Sequence, residues 1–178
     1  MSGDWDVRRL GGETVYDGPL FEVRVERFRH ADGGEVSREI VRHMGAVGIV
    51  AHDAERVWLV RQPREAVEEE LLEIPAGRLD VDGESPLEAA QRELAEEVGL
   101  GAERWEPVYS FYTSAGFTDE RVHLFEATGL RAASADSGEN ERIEIVPWPL
   151  ARLEDAIAEC RDAKTLVGLL WLSRRLNA

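Results

Sequence analysis

The chain has 178 residues, 43% of them hydrophobic, and its 21 Lys and Arg against 36 Asp and Glu give a formal net charge of −15. That length and apolar fraction suit one soluble globular protein with a core of its own, while the acidic balance argues against nucleic acid as the natural ligand, because its phosphates need a basic surface. A single cysteine, Cys160, excludes an internal disulfide and a cysteine metal cage, and no run approaches the roughly 18 apolar residues of a membrane span.

Along the chain, the opening MSGDWDVRRL lacks the apolar stretch of a signal peptide, so a cytoplasmic location is expected. Residues 1–45 read as an antiparallel β unit. Phe21, Val23 and Val25 alternate with Glu22, Arg24 and Glu26, the pattern of a half-buried strand. Asp32-Gly33-Gly34 marks a hairpin turn, and Val36–Met44 returns as the partner strand. So small a sheet needs another surface to pack on. The main domain, residues 46–178, or a second subunit would supply it. Ala46–His52 and Val57–Gln62 are apolar strands joined by the polar turn Asp53-Ala54-Glu55, and they suit a buried mixed sheet.

The most informative stretch is Ile74–Leu100. Ser85 is an N-cap candidate, Pro86 sits at the first helical position, Glu88 completes a capping box and Gly99 is a helix stop. Leu87, Ala90, Leu94 and Val98 share one face at helical spacing. Glu93 and Glu97, four apart, stand at the border of that face, with Glu96 further round. Like charges at this spacing cost roughly 0.2–0.5 kcal/mol per pair, and an adjacent buried face adds a desolvation penalty. A divalent cation relieves both, since hard ions such as Mg2+ take carboxylate, phosphate and water oxygens. A solvated acidic helix face is the plain alternative.

Beyond the helix, Trp105–Ser114 reads as a strand, followed by the loop Ala115–Glu120 and the strand Arg121–Ala127. Arg131–Arg142, small and charged with Gly138, reads as a loop before the strand Ile143–Trp148. Two helices close the chain, Leu150–Cys160 and Lys164–Leu176. Leu166, Leu169, Leu170 and Trp171 are the stripe expected to pack on the sheet, and Cys160, beside Ile157, reads as helix core.

Residues 77–100 resemble the signature of the Nudix hydrolase family. Gly77 begins it, and Arg92-Glu93-Leu94-Ala95-Glu96-Glu97-Val98-Gly99-Leu100 matches its second half at every position. The loop from Gly77 to Glu84 carries one residue more than the family pattern, upstream of the helix, so the glutamate register is unaffected. A narrower resemblance, to the ADP-ribose pyrophosphatase branch, runs through RQPREAVEEELLEIPAG, with its Gln-x-Arg stretch and Pro-Ala-Gly entry into the box. Ser114-Ala115-Gly116, then Glu120, is similar to that branch's Ser-Pro-Gly loop, with Ala115 in place of the proline that would preset φ.

The resemblance implies an α/β Nudix fold: a mixed sheet sandwiched between helices, with the small N-terminal β unit exchanged between subunits of a homodimer. It implies metal ligation by Glu93, Glu96, Glu97 and the Ala76 carbonyl, with Mg2+, or Mn2+ in its place, as cofactor. Arg92 would orient the metal-binding glutamates, and Glu84 would do likewise or reach a metal through water. Arg61 and Arg64 would take substrate phosphates, since a guanidinium pairs bidentately with phosphate; the alternative is pairing with Glu68, Glu69 or Glu70. Gly116 would shape the substrate loop, and Glu120 would bind a ribose hydroxyl or merely cap a strand. Glu139 or Glu141, from a loop closing over the metals, would position or deprotonate the attacking water. The implied reaction is hydrolysis of ADP-ribose to AMP and ribose 5-phosphate. The alternatives are another nucleoside diphosphate derivative (a nucleotide sugar, a dinucleotide polyphosphate or a coenzyme), a non-catalytic nucleotide sensor, and an acidic interaction protein.

Overall fold

The computed structural model describes residues 6–134 and 142–178. They divide into two compact units, one running to Gly45 with Tyr112–Arg121 added, the other comprising Ala46–Phe111 and the chain from Val122 onward.

The first unit is an antiparallel three-stranded sheet, β1 (Val7–Asp17), β2 (Glu22–His30) and β3 (Glu35–Arg42), in the order β1-β2-β3. The β2–β3 turn forms where the Asp-Gly-Gly signal places it: Gly33 has φ 85°, and the Gly34 N–H donates to Asp32 Oδ1 at 2.8 Å. β1 has no clean alternation, its register being shifted twice against β2, and only its partner strands are evident from pattern. Glu26 is fully buried in this sheet and is met by Arg9 at 2.7 Å and Arg42 at 3.0 Å. Arg42 also reaches Asp119 at 2.8 Å, and the Val41 N–H donates to the Phe117 carbonyl, which ties the 112–121 segment to β3.

The second unit is built on a mixed sheet. Its strands are β4 (Ala46–His52), β5 (Arg56–Arg64), β6 (Glu69–Glu73), β7 (Ala76–Arg78), β8 (Leu100–Tyr112), β9 (Arg121–Ala132) and β10 (Glu144–Pro149). The order is β10-β5-β4-β9-β8, with β6 on β5 and β7 on β4. β4 pairs parallel with β9 and antiparallel with β5 and β7. Central β4 is apolar from Ala46 to Ala51 because both of its faces are covered. Val47, Ile49 and Ala51 pack with Ala89, Ala90, Leu94 and Val98 of helix α1 (Pro86–Val98). Val50 packs with Leu153 and Ala156 of α2 (Leu153–Glu159) and with Leu169 and Leu172 of α3 (Ala163–Leu176). No helix among the described residues is long and apolar enough to cross a membrane.

Two of the expected helix faces are corrected. Leu87 is exposed and Ala89 buried, because Leu87 lies in the first turn, at the helix N-terminal end. On α3 the buried stripe is Thr165, Gly168, Leu169 and Leu172, while Leu166 and Leu170 are exposed. Counting large apolar residues missed this stripe because two of its members are a threonine and a glycine. Gly168 is small for a reason: a Cβ there would stand 3.0 Å from Val50 Cγ2.

Candidate active site

Helix α1 carries the acidic cluster, and its start is fixed locally. The Ser85 side chain accepts from the Glu88 N–H, the Glu88 carboxylate accepts from the Ser85 N–H at 2.8 Å, and Pro86 needs no N–H partner. The end is fixed by Gly99 at φ 70°, whose N–H bonds back to the Ala95 carbonyl. At 100° per residue, Glu93 and Glu97 fall between the directions of Ala89 and Ala90, so they lie within the packed arc and not on its border. Small alanines on both sides leave room for the two carboxylates beside the sheet.

What receives them is the start of strand β7. The Ala76 N–H donates to Glu97 Oε2 at 3.0 Å. A Cβ added to Gly77 would run into the Glu93 carboxylate, so Gly77 is the cradle in which that carboxylate sits. The backbone of two consecutive residues thus abuts two carboxylates one helical turn apart.

Arg92 organises the remainder. Its Nε and Nη2 donate to the two oxygens of Glu84, each at 3.0 Å, and Nη1 donates to Glu93 at 2.7 Å and Glu96 at 3.0 Å. The hydrogen bond with Glu84 above all, joined by those with Glu93 and Glu96, holds the guanidinium well above its ordinary pKa despite burial. A lysine could not replace this fork, because a point charge lacks the bidentate geometry. Among the described residues no three Asp, Glu, His or Cys side chains are drawn together as an ion cage; the charge of Glu84, Glu93 and Glu96 is met by Arg92 instead. By its chemistry the donor set fits a hard divalent ion, since carboxylates and a peptide carbonyl are the oxygen ligands such an ion takes.

Each expected phosphate-binding arginine has a carboxylate partner, though not one of the glutamates weighed for it. Arg64 makes a bidentate pair with Glu73 at 2.6 and 2.7 Å, and Arg61 pairs with Glu159 at 2.6 Å. Burial pushes the Glu73 carboxyl up, but hydrogen bonds from Arg64 and Lys164 outweigh it and hold the group below its ordinary value. Glu73 and Lys164 were not singled out from sequence: they are 91 positions apart and carry no local signal.

In the first unit, Glu120 accepts from the Thr113 hydroxyl at 2.6 Å, and its N–H donates to Thr118 Oγ1 at 3.1 Å. Gly116 lines a cavity of about 310 Å³ with Phe117, Phe28, Val36 and Ile40. Thus Ala76, Glu93, Glu96 and Glu97 come together, Gly116 and Glu120 belong to the other compact unit, and Glu139 and Glu141 lie outside the described residues.

The NUDIX domain family profile matches residues 42–165. The chain is 41% identical over 149 residues to the ADP-ribose pyrophosphatase of Mycobacterium tuberculosis, covering 82% of this chain and 72% of that protein. It is 36% identical over 175 residues to the ADP-ribose pyrophosphatase of Bacillus subtilis, covering 94% and 92%. It is also 37% identical over 173 residues to the methanol dehydrogenase activator of Bacillus methanolicus, covering 94% and 93%. A crystal structure described as an ADP compounds hydrolase superposes with a TM-score of 0.85 at 27% identity, over 97% of this chain and 95% of the other.

Proposed function

Because the chain belongs to the NUDIX domain family, we propose that it hydrolyses the diphosphate of ADP-ribose to AMP and ribose 5-phosphate. The observation that carries this is the seating of Glu93 and Glu97 against the Ala76–Gly77 backbone, with Arg92 forked onto Glu84. The relatives named ADP-ribose pyrophosphatase support the choice of substrate.

A diphosphate resists attack by water because its own oxygens are negative. Glu93, Glu96, Glu97 and the Ala76 carbonyl are the groups that would hold the divalent ion, Mg2+ in our reading with Mn2+ as substitute. Such an ion supplies positive charge to the diphosphate oxygens and lowers the pKa of the attacking water. Arg92 keeps Glu93 and Glu96 aimed by charge-assisted hydrogen bonds. Glu139 or Glu141 takes the proton as the water attacks phosphorus and the bridging P–O bond breaks. Arg64 has five N–H groups, two of which go to Glu73, so it can keep that pair and still offer a donor to a phosphate; Arg61 is assigned the same role. Gly116 and Glu120 are assigned to the ribose end of the substrate on family resemblance. In the same reading the protein is a cytoplasmic homodimer.

A second reading keeps the chemistry and changes the substrate to another nucleoside diphosphate derivative. Ala115, standing where the ADP-ribose branch has proline, favours it. The discriminating experiment is turnover with Mg2+ across ADP-ribose, a purine nucleotide sugar, a diadenosine polyphosphate and NADH, with products separated by chromatography. A dominant AMP product from ADP-ribose, abolished by EDTA, is expected. Preference for another compound would move the substrate assignment, and no turnover of any would overturn the hydrolase reading.

A further inference from the structure

The segment that presents Ala76 and Gly77 is held at three successive residues from three different elements. The Ala76 N–H goes to Glu97 on α1, and the Pro75 carbonyl accepts from the Ile49 N–H of β4 at 2.8 Å. The Ile74 N–H donates to Thr165 Oγ1 of α3 at 2.9 Å. Ile74 and Thr165 are both fully buried.

The Thr165 contact has a fixed polarity. The Thr165 hydroxyl donates to Asp162 Oδ2 at 2.6 Å, and the same oxygen accepts the Thr165 N–H at 2.9 Å as the cap of α3. A carboxylate only accepts, so the hydroxyl proton must point at Asp162 and its lone pairs are left for Ile74. Lys164 stands beside this cap, 3.0 Å from Asp162 Oδ2, and also pairs with Glu73, the residue before Ile74. The first turn of α3 therefore grips two consecutive residues of the strand end that leads into the site.

We propose that Thr165 is a positioning residue for the metal-binding edge of the site: its hydroxyl sets the Ile74 peptide, and through Pro75 it sets the Ala76 carbonyl and the N–H that orients Glu97. Proline makes the coupling stiff, because its ring fixes φ between the gripped residue and the ligand residue. The inference rests on the metal-binding role given above to Ala76 and Glu97.

The test is direct Mn2+ binding to the full chain without substrate, read from the electron paramagnetic resonance of the free ion, with thermal unfolding followed by circular dichroism. Thr165→Val keeps the shape and removes the hydroxyl. It is expected to weaken Mn2+ binding about tenfold, the scale seen when a partner of a ligand is removed, while Thr165→Ser restores affinity. A Thr165→Val protein that loses thermal stability but binds Mn2+ like the wild type would overturn the proposal, because Thr165 would then serve packing alone. If Thr165→Val does not fold, Asp162→Asn replaces it: asparagine still caps the helix, but its amide no longer dictates the hydroxyl's direction. A smaller weakening is expected, and unchanged affinity overturns the proposal. Wild-type protein that binds no Mn2+ would remove the metal assignment itself, and this inference with it.

Discussion

Replacing Gly77 with alanine separates the site from the fold. The φ of Gly77 is not in the left-handed region, so alanine fits the backbone, and the three atoms nearest the added methyl all belong to the end of the flexible Glu93 side chain. Glu93 must therefore leave its cradle. Its side chain is 14% exposed and bonded to Arg92 Nη1 at 2.7 Å, so moving it forfeits a charge-assisted hydrogen bond of about 1.5–3 kcal/mol. Against this, Gly→Ala stabilises by about 0.4–1 kcal/mol by narrowing the unfolded ensemble. The net cost is about 0.5–2.5 kcal/mol, a modest fraction of a typical domain's stability. Catalysis should suffer far more, since a misplacement of about 1 Å in a catalytic constellation costs about 10²-fold. Urea unfolding and kcat/KM for ADP-ribose, measured across a Mg2+ series, give both numbers on one preparation. Near-wild-type kcat/KM in a protein that carries the methyl would refute the assignment of Glu93 as a ligand. Loss of the fold would refute the claim that moving the Glu93 side chain makes room for the methyl.

Glu97→Gln should lower turnover by about three orders of magnitude or more, as loss of one principal stabilising group does, with circular dichroism unchanged, because the amide oxygen can still accept from the Ala76 N–H; near-normal turnover would remove Glu97 from the site. Glu139→Gln and Glu141→Gln should differ sharply in kcat, with Glu139 the more damaging; equal, mild effects would end the loop-glutamate idea. For Glu73, burial raises the carboxyl's pKa and the Arg64 and Lys164 hydrogen bonds lower it further than burial raises it, from an ordinary value of 4.5. The unfolded chain then binds the proton more readily, so this stabilisation is present above the ordinary value and is lost as pH falls through the folded one. Urea unfolding of Glu73→Gln should accordingly show a shallower loss of stability below pH 4.5 than wild type, and parallel acid limbs would show that the carboxylate contributes nothing there.

How much of this is legible in sequence depends on the distance over which each contact acts. The capping box joins Ser85 to Glu88, Gly99 closes onto Ala95, and Arg92 reaches back eight positions to Glu84. Such contacts follow from residue type and helical spacing, and the start and stop of the helix read correctly, whereas Glu93 and Glu97 lie inside the packed arc and not at its border. β4 reads correctly as a buried strand because its apolar run has no polar face. The pairings that fail to read are long-range. Arg61 meets Glu159 across 98 positions, and Arg64, Lys164 and Glu73 converge only because β5, β6 and the start of α3 are brought side by side. Local reasoning offers Arg64 the nearest glutamates, 68 to 70, but Glu73 lies on β6, where Glu69 opposes Arg64 in the ladder and Glu73 is turned inward and buried. The stripe on α3 misreads for a different reason: its two key positions are chosen for a hydrogen bond, Thr165, and for close approach, Gly168, and neither counts as hydrophobic.

The extra residue between Gly77 and Glu84 shows why the site tolerates a departure from the family spacing. The insertion falls in an exposed turn: Asp80 to Gly83 are exposed, apart from Asp80's pair with Arg78 at 3.1 Å, and Gly83 takes φ 82° with open space around it. A β-turn, with the Glu84 N–H on the Val81 carbonyl at 3.1 Å, takes up the added length before Glu84 is reached. Glu84 is then placed from the other side, by two parallel bonds from Arg92, and its distance along the chain from Gly77 no longer decides where its carboxylate lies. What the family spacing preserves, on this view, is the register inside α1, where one residue more would turn Glu93 and Glu97 away from the Ala76–Gly77 backbone by 100°. The loop length is free because a bidentate ion pair, and not the loop, sets its far end.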